Sequence, residues 1–180
     1  MRMRLEKLPP IILPDGRQSC DPPARIVTEH CTMTVMHAAP AYEPRYLAGI
    51  VLFNQREFFE AHEVWESLWL DSCIGDDRRF VQGLIQAAVG LYHFGNRNFR
   101  GAIKLYRTAR AYMEKYPSPH LGLDVAKFWA DMEHCFEPLL KSNEPPDHAA
   151  LNQERIPTIV LDPPPESWPD PTEFSDEDDH

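Results

Sequence analysis

NQREFFEAHEVWESLWLDSCIGDDRRFVQGLIQAAVGLYHFGNRNFRG, residues 54–101, decides the fold of this chain. Phe58, Ala61, His62, Trp65, Leu68 and Trp69 recur at steps of three and four, so they line one face of a helix that the spacing ends near Leu70. Asn54 followed by Glu57 has the form of a capping box and predicts the start of that helix. Gly75, Asp76 and Asp77 supply a turn and put negative charge where the next helix dipole favours it. A second helix is predicted from about Asp77 to Phe94, with Phe80, Leu84, Ala87, Ala88 and Leu91 as its apolar set. Gly83 and Gly90 each weaken a helix by about 1 kcal/mol relative to Ala, which points to close approach of a neighbouring backbone.

The short connection makes the two helices antiparallel and sets opposite each other residues whose numbers sum to about 148. His62 then faces Gln86, and Glu66 faces Gln82. Gln82, Gln86 and His93 fall within about 40° of one another at about 100° per residue, so a polar stripe runs beside the apolar one. His93 stands roughly 10 Å along the axis from Gln86 and outside the group. His62, Glu66, Gln82 and Gln86 are therefore expected to share a hydrogen-bonded network. Any slip of register would leave its members unsatisfied, at about 1–3 kcal/mol each.

Two chemical readings compete with that structural one. An i, i+4 pair such as His62 and Glu66 can hold an ion, but the zincin pattern wants a second His where this chain has Glu66. A third ligand is missing and Gln86 is a poor zinc ligand, so no metal and no cofactor is expected. Acid–base catalysis by Glu66 with His62 is the alternative, a hydrolase-like reading. Against it, Ser67 and Cys73 sit at the edge of the hairpin with no partner at fixed spacing.

FFEAHEVWESLW, FVQGLIQAAVGLYH and NRNFRGA, in this order, closely resemble the prokaryotic family known as domain of unknown function 309. The resemblance covers about Tyr46 to Phe136. It implies a small all-helical bundle and carries no assigned activity. The Pro-rich flanks depart from that pattern.

Outward from the hairpin, Pro44 suits a first helical turn, and Tyr46, Leu47, Ile50, Val51 and Phe53 give the helix it opens a buried face. Asn98 is placed to cap a fourth helix, from Phe99 to about Tyr116, with Ala102, Leu105, Tyr106, Ala109 and Met113 inward. Arg97, Arg100, Lys104 and Arg107 make a basic stripe on its other side, a docking surface for an acidic protein partner or for this chain's own tail. Asp124 is placed to cap a last helix carrying Val125, Phe128, Trp129, Met132, Cys135 and Phe136, with Pro138 at its end. The expected fold is all-α: a compact five-helix bundle over 44–141.

Seven prolines lie in 1–44, three in 45–141 and eight in 142–180, so the flanks are non-helical. Residues 1–43 are expected to be an irregular extension, in which PPIILPDG offers a short apolar run. Residues 142–180 hold eleven acids and one base, whereas 1–141 hold 17 of each sign. The net charge of −10 thus belongs to an acidic, Pro-rich and largely disordered tail. One apolar island, IPTIVL at 156–161, is able to pair with Ile11–Leu13 or to lie on the bundle. A neutral bundle gives DNA binding no long-range support. The four cysteines have no CxxC spacing, and no run approaches a membrane span, so a reduced, cytoplasmic protein is expected. The combined reading is a structural or protein-interaction module.

Overall fold

Pro44, whose fixed φ suits a first turn, opens helix α1 (Pro44–Gln55), and the Glu43 carboxylate caps it by accepting from the Tyr46 N–H at 2.9 Å. The computed structural model describes residues 42–141 and 149–174, with backbone alone at 72–74. Within them α1 is followed by α2 (Phe58–Leu70), a 3-10 segment (Ser72–Asp77), α3 (Arg78–Gly95), α4 (Phe99–Met113) and α5 (Val125–Leu140). Single 3-10 turns follow at Gln153–Arg155 and Pro171–Phe174. The chain forms an all-α bundle, with only two isolated β-bridges among the described residues. The extension expected over 1–43, apart from its last two residues, the run Ile11–Leu13, Cys20, Cys31 and the Cys73 side chain lie outside the described residues.

The antiparallel register of α2 and α3 is fixed by two contacts. The Arg78 guanidinium lies 4.4 Å over the Trp69 ring, and Phe59 meets Tyr92 at 5.7 Å. The sum of about 148 expected for facing residues falls between these two pairs, so His62 and Gln86 stand at one level. Helices α3 and α4 then close on each other through Gly83, where an added Cβ would come within 2.3 Å of Met113 Cγ. Gly90 differs from expectation: its nearest neighbour would be 3.6 Å away, ordinary contact, so close approach is not what this glycine provides.

The core is centred on Trp65, Phe53, Phe80, Phe94 and Phe136, all fully buried. Burying an indole leaves its N–H in need of an acceptor. Trp65 Nε1 finds one in the Tyr46 carbonyl at 3.1 Å, because α1 presents Gly49 to the ring.

Three helix ends differ from the sequence reading. Asn54 does not cap α2: it lies inside α1, which turns at Arg56 in a left-handed conformation (φ 73°), and Glu57 precedes α2 without a side-chain cap. The amide of Asn54 is engaged elsewhere, as described below. Helix α4 ends at Met113 instead of Tyr116. Pro138 does not stop α5, which runs on to Leu140 with Leu139 buried and the Lys141 N–H bonded to the Glu137 carbonyl. Proline removes one helical hydrogen bond, and apolar burial beyond it holds the last turn. The caps expected from Asn98 and Asp124 are present, accepting from Gly101 and Lys127 respectively.

Candidate functional site

His62 projects from the middle of α2 with its ring against Phe59, 5.5 Å between centroids. Its Nδ1 lies 3.2 Å from the Phe59 carbonyl oxygen. A carbonyl only accepts, so Nδ1 carries the hydrogen and Nε2 is left facing Glu66 Oε2 at 3.4 Å. The imidazole is 13% exposed and the carboxylate 41%, so the pair runs from the interior to the surface.

On α3, Gln82 and Gln86 are both buried. Among the described residues no hydrogen bond joins either amide to His62 or Glu66, and Gln86 Oε1 has no donor at all. The two helices that carry these residues pack on each other, and among the described residues the hydrogen bonds of the expected network are not formed. His93 stands apart, as the register requires, with Nδ1 3.3 Å from Asn98 Nδ2 and its pKa lowered by burial. Ser67 donates to the Val64 carbonyl of its own helix at 2.8 Å and offers no nucleophile to the pair. Among the described residues no three His, Cys, Asp or Glu side chains converge.

Arg97, at a left-handed φ of 62°, lies in the turn before α4, and Arg100, Lys104 and Arg107 follow along the helix. All four side chains are exposed. The hydrogen bonds and bridges of the described tail fall on α1, α5 and the 120–123 turn, while Leu151 approaches Gly95 at the end of α3; the acidic tip from Asp176 to Asp179 is outside the described residues.

Those tail contacts build a second candidate site. Asn54 Nδ2 donates to the Ile159 carbonyl at 2.9 Å, and Asn54 Oδ1 accepts from the Ile159 N–H at 2.8 Å. One side chain thus satisfies both main-chain groups of one residue, as a paired strand does. Arg56 donates to the carbonyls of Pro157 at 2.9 Å and Ile156 at 3.2 Å. On the other side Leu161 bridges Leu123, and the Asp162 N–H donates to the Gly122 carbonyl at 2.8 Å. Gly122 has φ of +76°, and a Cβ there would meet the Tyr42 hydroxyl at 2.2 Å, so this wall of the groove requires glycine. Tyr42 in turn donates to the Pro163 carbonyl at 2.7 Å.

Ile156, Ile159 and Leu161 are buried, while Thr158 and Val160 point outward. Burial contributes about 1.5–3 kcal/mol per such side chain, comparable to the about 1–2 kcal/mol per residue lost in ordering the backbone. The main-chain bonds from Asn54, Arg56 and Gly122 tip that balance toward docking. A disordered tail, the expectation from composition, does not describe residues 156–161.

Residues 46–105 match the family described as Domain of unknown function (DUF309). The uncharacterized protein YpuF of Bacillus subtilis (strain 168) is 31% identical over 99 residues, which make up 53% of this chain. The chain spans 57% of that relative's length. The DUF309 match is shorter than the stretch over which the motifs resemble the family, since it stops within α4 and leaves α5 outside. It takes in Asn54, Arg56, His62, Glu66, Gln82 and Gln86. Gly122, Leu123 and the docked segment lie beyond it, so only one wall of the groove belongs to the DUF309 segment.

Sequence reasoning missed the groove because Asn54 has the residue type and spacing of a helix cap. The signal that pointed toward it was IPTIVL, an apolar run inside an acidic tail. No helix among the described residues is long and apolar enough to cross a membrane.

Proposed function

We propose that this protein is an interaction module whose helical bundle binds an extended apolar segment through its main chain, and that its own residues 156–161 fill the groove. The observation that carries this reading is the two-way bond between the Asn54 amide and the Ile159 backbone. Main-chain recognition with alternate side chains buried is how sheet edges take peptides. Here an amide near the end of α1 and the guanidinium of the turn that follows do the same work. The basic stripe Arg97, Arg100, Lys104 and Arg107 is a second surface, suited to an acidic partner.

The test uses an acceptor whose own tail is undocked. In Ile159→Asp the buried position is charged, and a fluorescent peptide of residues 149–174 is expected to bind that variant saturably. Adding Asn54→Ala or Arg56→Ala to the acceptor is expected to weaken the binding. An Ile159→Asp protein that stays folded and takes no peptide rules the reading out.

The acid–base reading of His62 and Glu66 has one supporting observation, the fixed orientation of the imidazole by the Phe59 carbonyl. A reacting nucleophile beside the pair would be needed to favour it.

A further inference from the structure

Residues 157–161 lie in the groove as a strand would, and residue 156 does not. Pro157, Ile159 and Leu161 are buried while Thr158 and Val160 face outward, the alternation of an extended chain. The main-chain groups follow the same rule: Pro157 and Ile159 bond to Arg56 and Asn54, whereas the Asp162 N–H goes instead to Gly122. Alternation continued backwards would aim the Ile156 carbonyl away from Arg56 and turn its side chain outward. Instead Arg56 takes that carbonyl as well, at 3.2 Å, and Ile156 is buried. One guanidinium thus spans two consecutive carbonyls that a regular strand places on opposite sides.

Because each peptide unit is planar, the relative direction of those two carbonyls is set by φ and ψ of residue 157. Proline holds φ at about −65°, far from the about −120 to −140° of a regular strand, so the segment carries its bend before it docks. Proline also brings no N–H, and Arg56 offers donors alone. Partial burial disfavours the Arg56 cation, so acceptors presented as a pair are what its N–H groups need.

We propose that the groove selects segments of the form apolar–Pro–x–apolar–x–apolar, and that Arg56 reads the proline by requiring two successive carbonyls on one side of the chain. This preference rests on the groove being a binding site. In the tail Ile156, Pro157, Ile159 and Leu161 fill the four selected positions, and the exposed Thr158 and Val160 mark the two that the groove leaves free.

Fluorescence anisotropy on the full-length Ile159→Asp acceptor, with peptides of residues 149–174, separates the preference from binding itself. A Pro157→Ala peptide is expected to bind at least about fivefold more weakly than the unsubstituted one, and a Val160→Thr peptide within about twofold of it. With Arg56→Lys added to the acceptor, the ammonium still donates but lacks the planar fork that spans both carbonyls. The loss caused by Pro157→Ala is then expected to shrink below about twofold. Equal binding of the Pro157→Ala peptide, an equal loss from Val160→Thr, or an undiminished loss on the Arg56→Lys acceptor overturns the preference and leaves the groove standing. A folded acceptor that takes no unsubstituted peptide removes groove and preference together. In the full-length chain without Ile159→Asp, Pro157→Ala is expected to speed hydrogen exchange of the Ile159 N–H at least about fivefold while the amides of α3 stay as they were. Unchanged exchange at Ile159 also overturns the preference.

Discussion

Asn54 and Ile159, 105 residues apart in sequence, form a closed pair in which one side-chain amide both donates to and accepts from one backbone unit, at 2.9 and 2.8 Å. The pair ties the end of α1 to the tail and so joins the first and last described parts of the bundle unit. Removing the amide strands both main-chain groups of a buried residue. Asn54→Ala is therefore expected to lower stability by about 1–3 kcal/mol, measured by urea unfolding. The better helix propensity of Ala offsets only about half a kcal/mol of this. A neutral result would show that the tail contributes nothing to the fold.

Two glycines should respond in opposite directions. At Gly49 an added Cβ would fall 2.1 Å from Trp65 Nε1, in the middle of the core, with the ring bonded to Tyr46 and unable to retreat. Gly49→Ala is expected to destabilise by about 1–3 kcal/mol or more. At Gly90 the same atom would find ordinary contact at 3.6 Å. Gly90→Ala is expected to stabilise by about 0.5–1 kcal/mol through helix propensity. Thermal melts of the two variants check both signs.

Gln86→Leu tests the hydrogen-bonded network expected between α2 and α3. A satisfied network would lose about 1–3 kcal/mol when the amide is removed. The unpartnered Oε1 predicts the reverse, an unchanged or higher melting temperature.

Stability should fall in acid in two stages. Burial lowers the His93 pKa from its ordinary 6.5, so the folded state binds its proton less readily than the unfolded chain. The stability this represents is present above pH 6.5 and declines as pH drops below it. Asp124 is held below 3.8 by the Lys127 N–H and the Ser118 hydroxyl, and Glu137 below 4.5 by the ammonium of Lys141 and then by Arg155. Their contribution is present above those values and is lost as pH falls further. Unfolding free energies between pH 3 and 8 test the order, and His93→Gln should remove the first stage alone.

Cys135 is buried, which pushes its thiol up to about 12 against the opposing pull of Arg56 and Arg155. The thiolate is the reactive form. In the folded protein at pH 8, Cys135 is expected to resist alkylation, and peptide mapping after iodoacetamide treatment shows whether it does.

The helices were legible because their apolar residues repeat at helical spacing and because Asn98 and Asp124 cap the helices that directly follow them. The register of α2 against α3 was equally readable, since a short connection allows few alternatives. Asn54 misled because Asn serves equally as a cap and as a clamp on a distant backbone. That choice is made by a segment more than a hundred residues away, which no local pattern contains. The tail is only partly legible for a related reason. Its average composition is acidic and Pro-rich, but docking is decided by the six residues of IPTIVL and by the groove they meet. For His62, Glu66, Gln82 and Gln86, helical spacing gave levels along α2 and α3 without showing which donors find acceptors. Side-chain direction at the sub-ångström level decides that, and periodicity does not encode it.

The tail segment is held against the bundle by its main chain, and amide hydrogen exchange at Ile159 measures this most directly. In the full-length protein the Ile159 N–H is expected to exchange at least about a hundredfold more slowly than in an unstructured chain, since opening must break both bonds to Asn54. In Asn54→Ala that protection should disappear while the amides of α3 remain protected. Exchange at the rate of a free peptide in the unsubstituted protein would contradict the docked tail and, with it, the proposed groove.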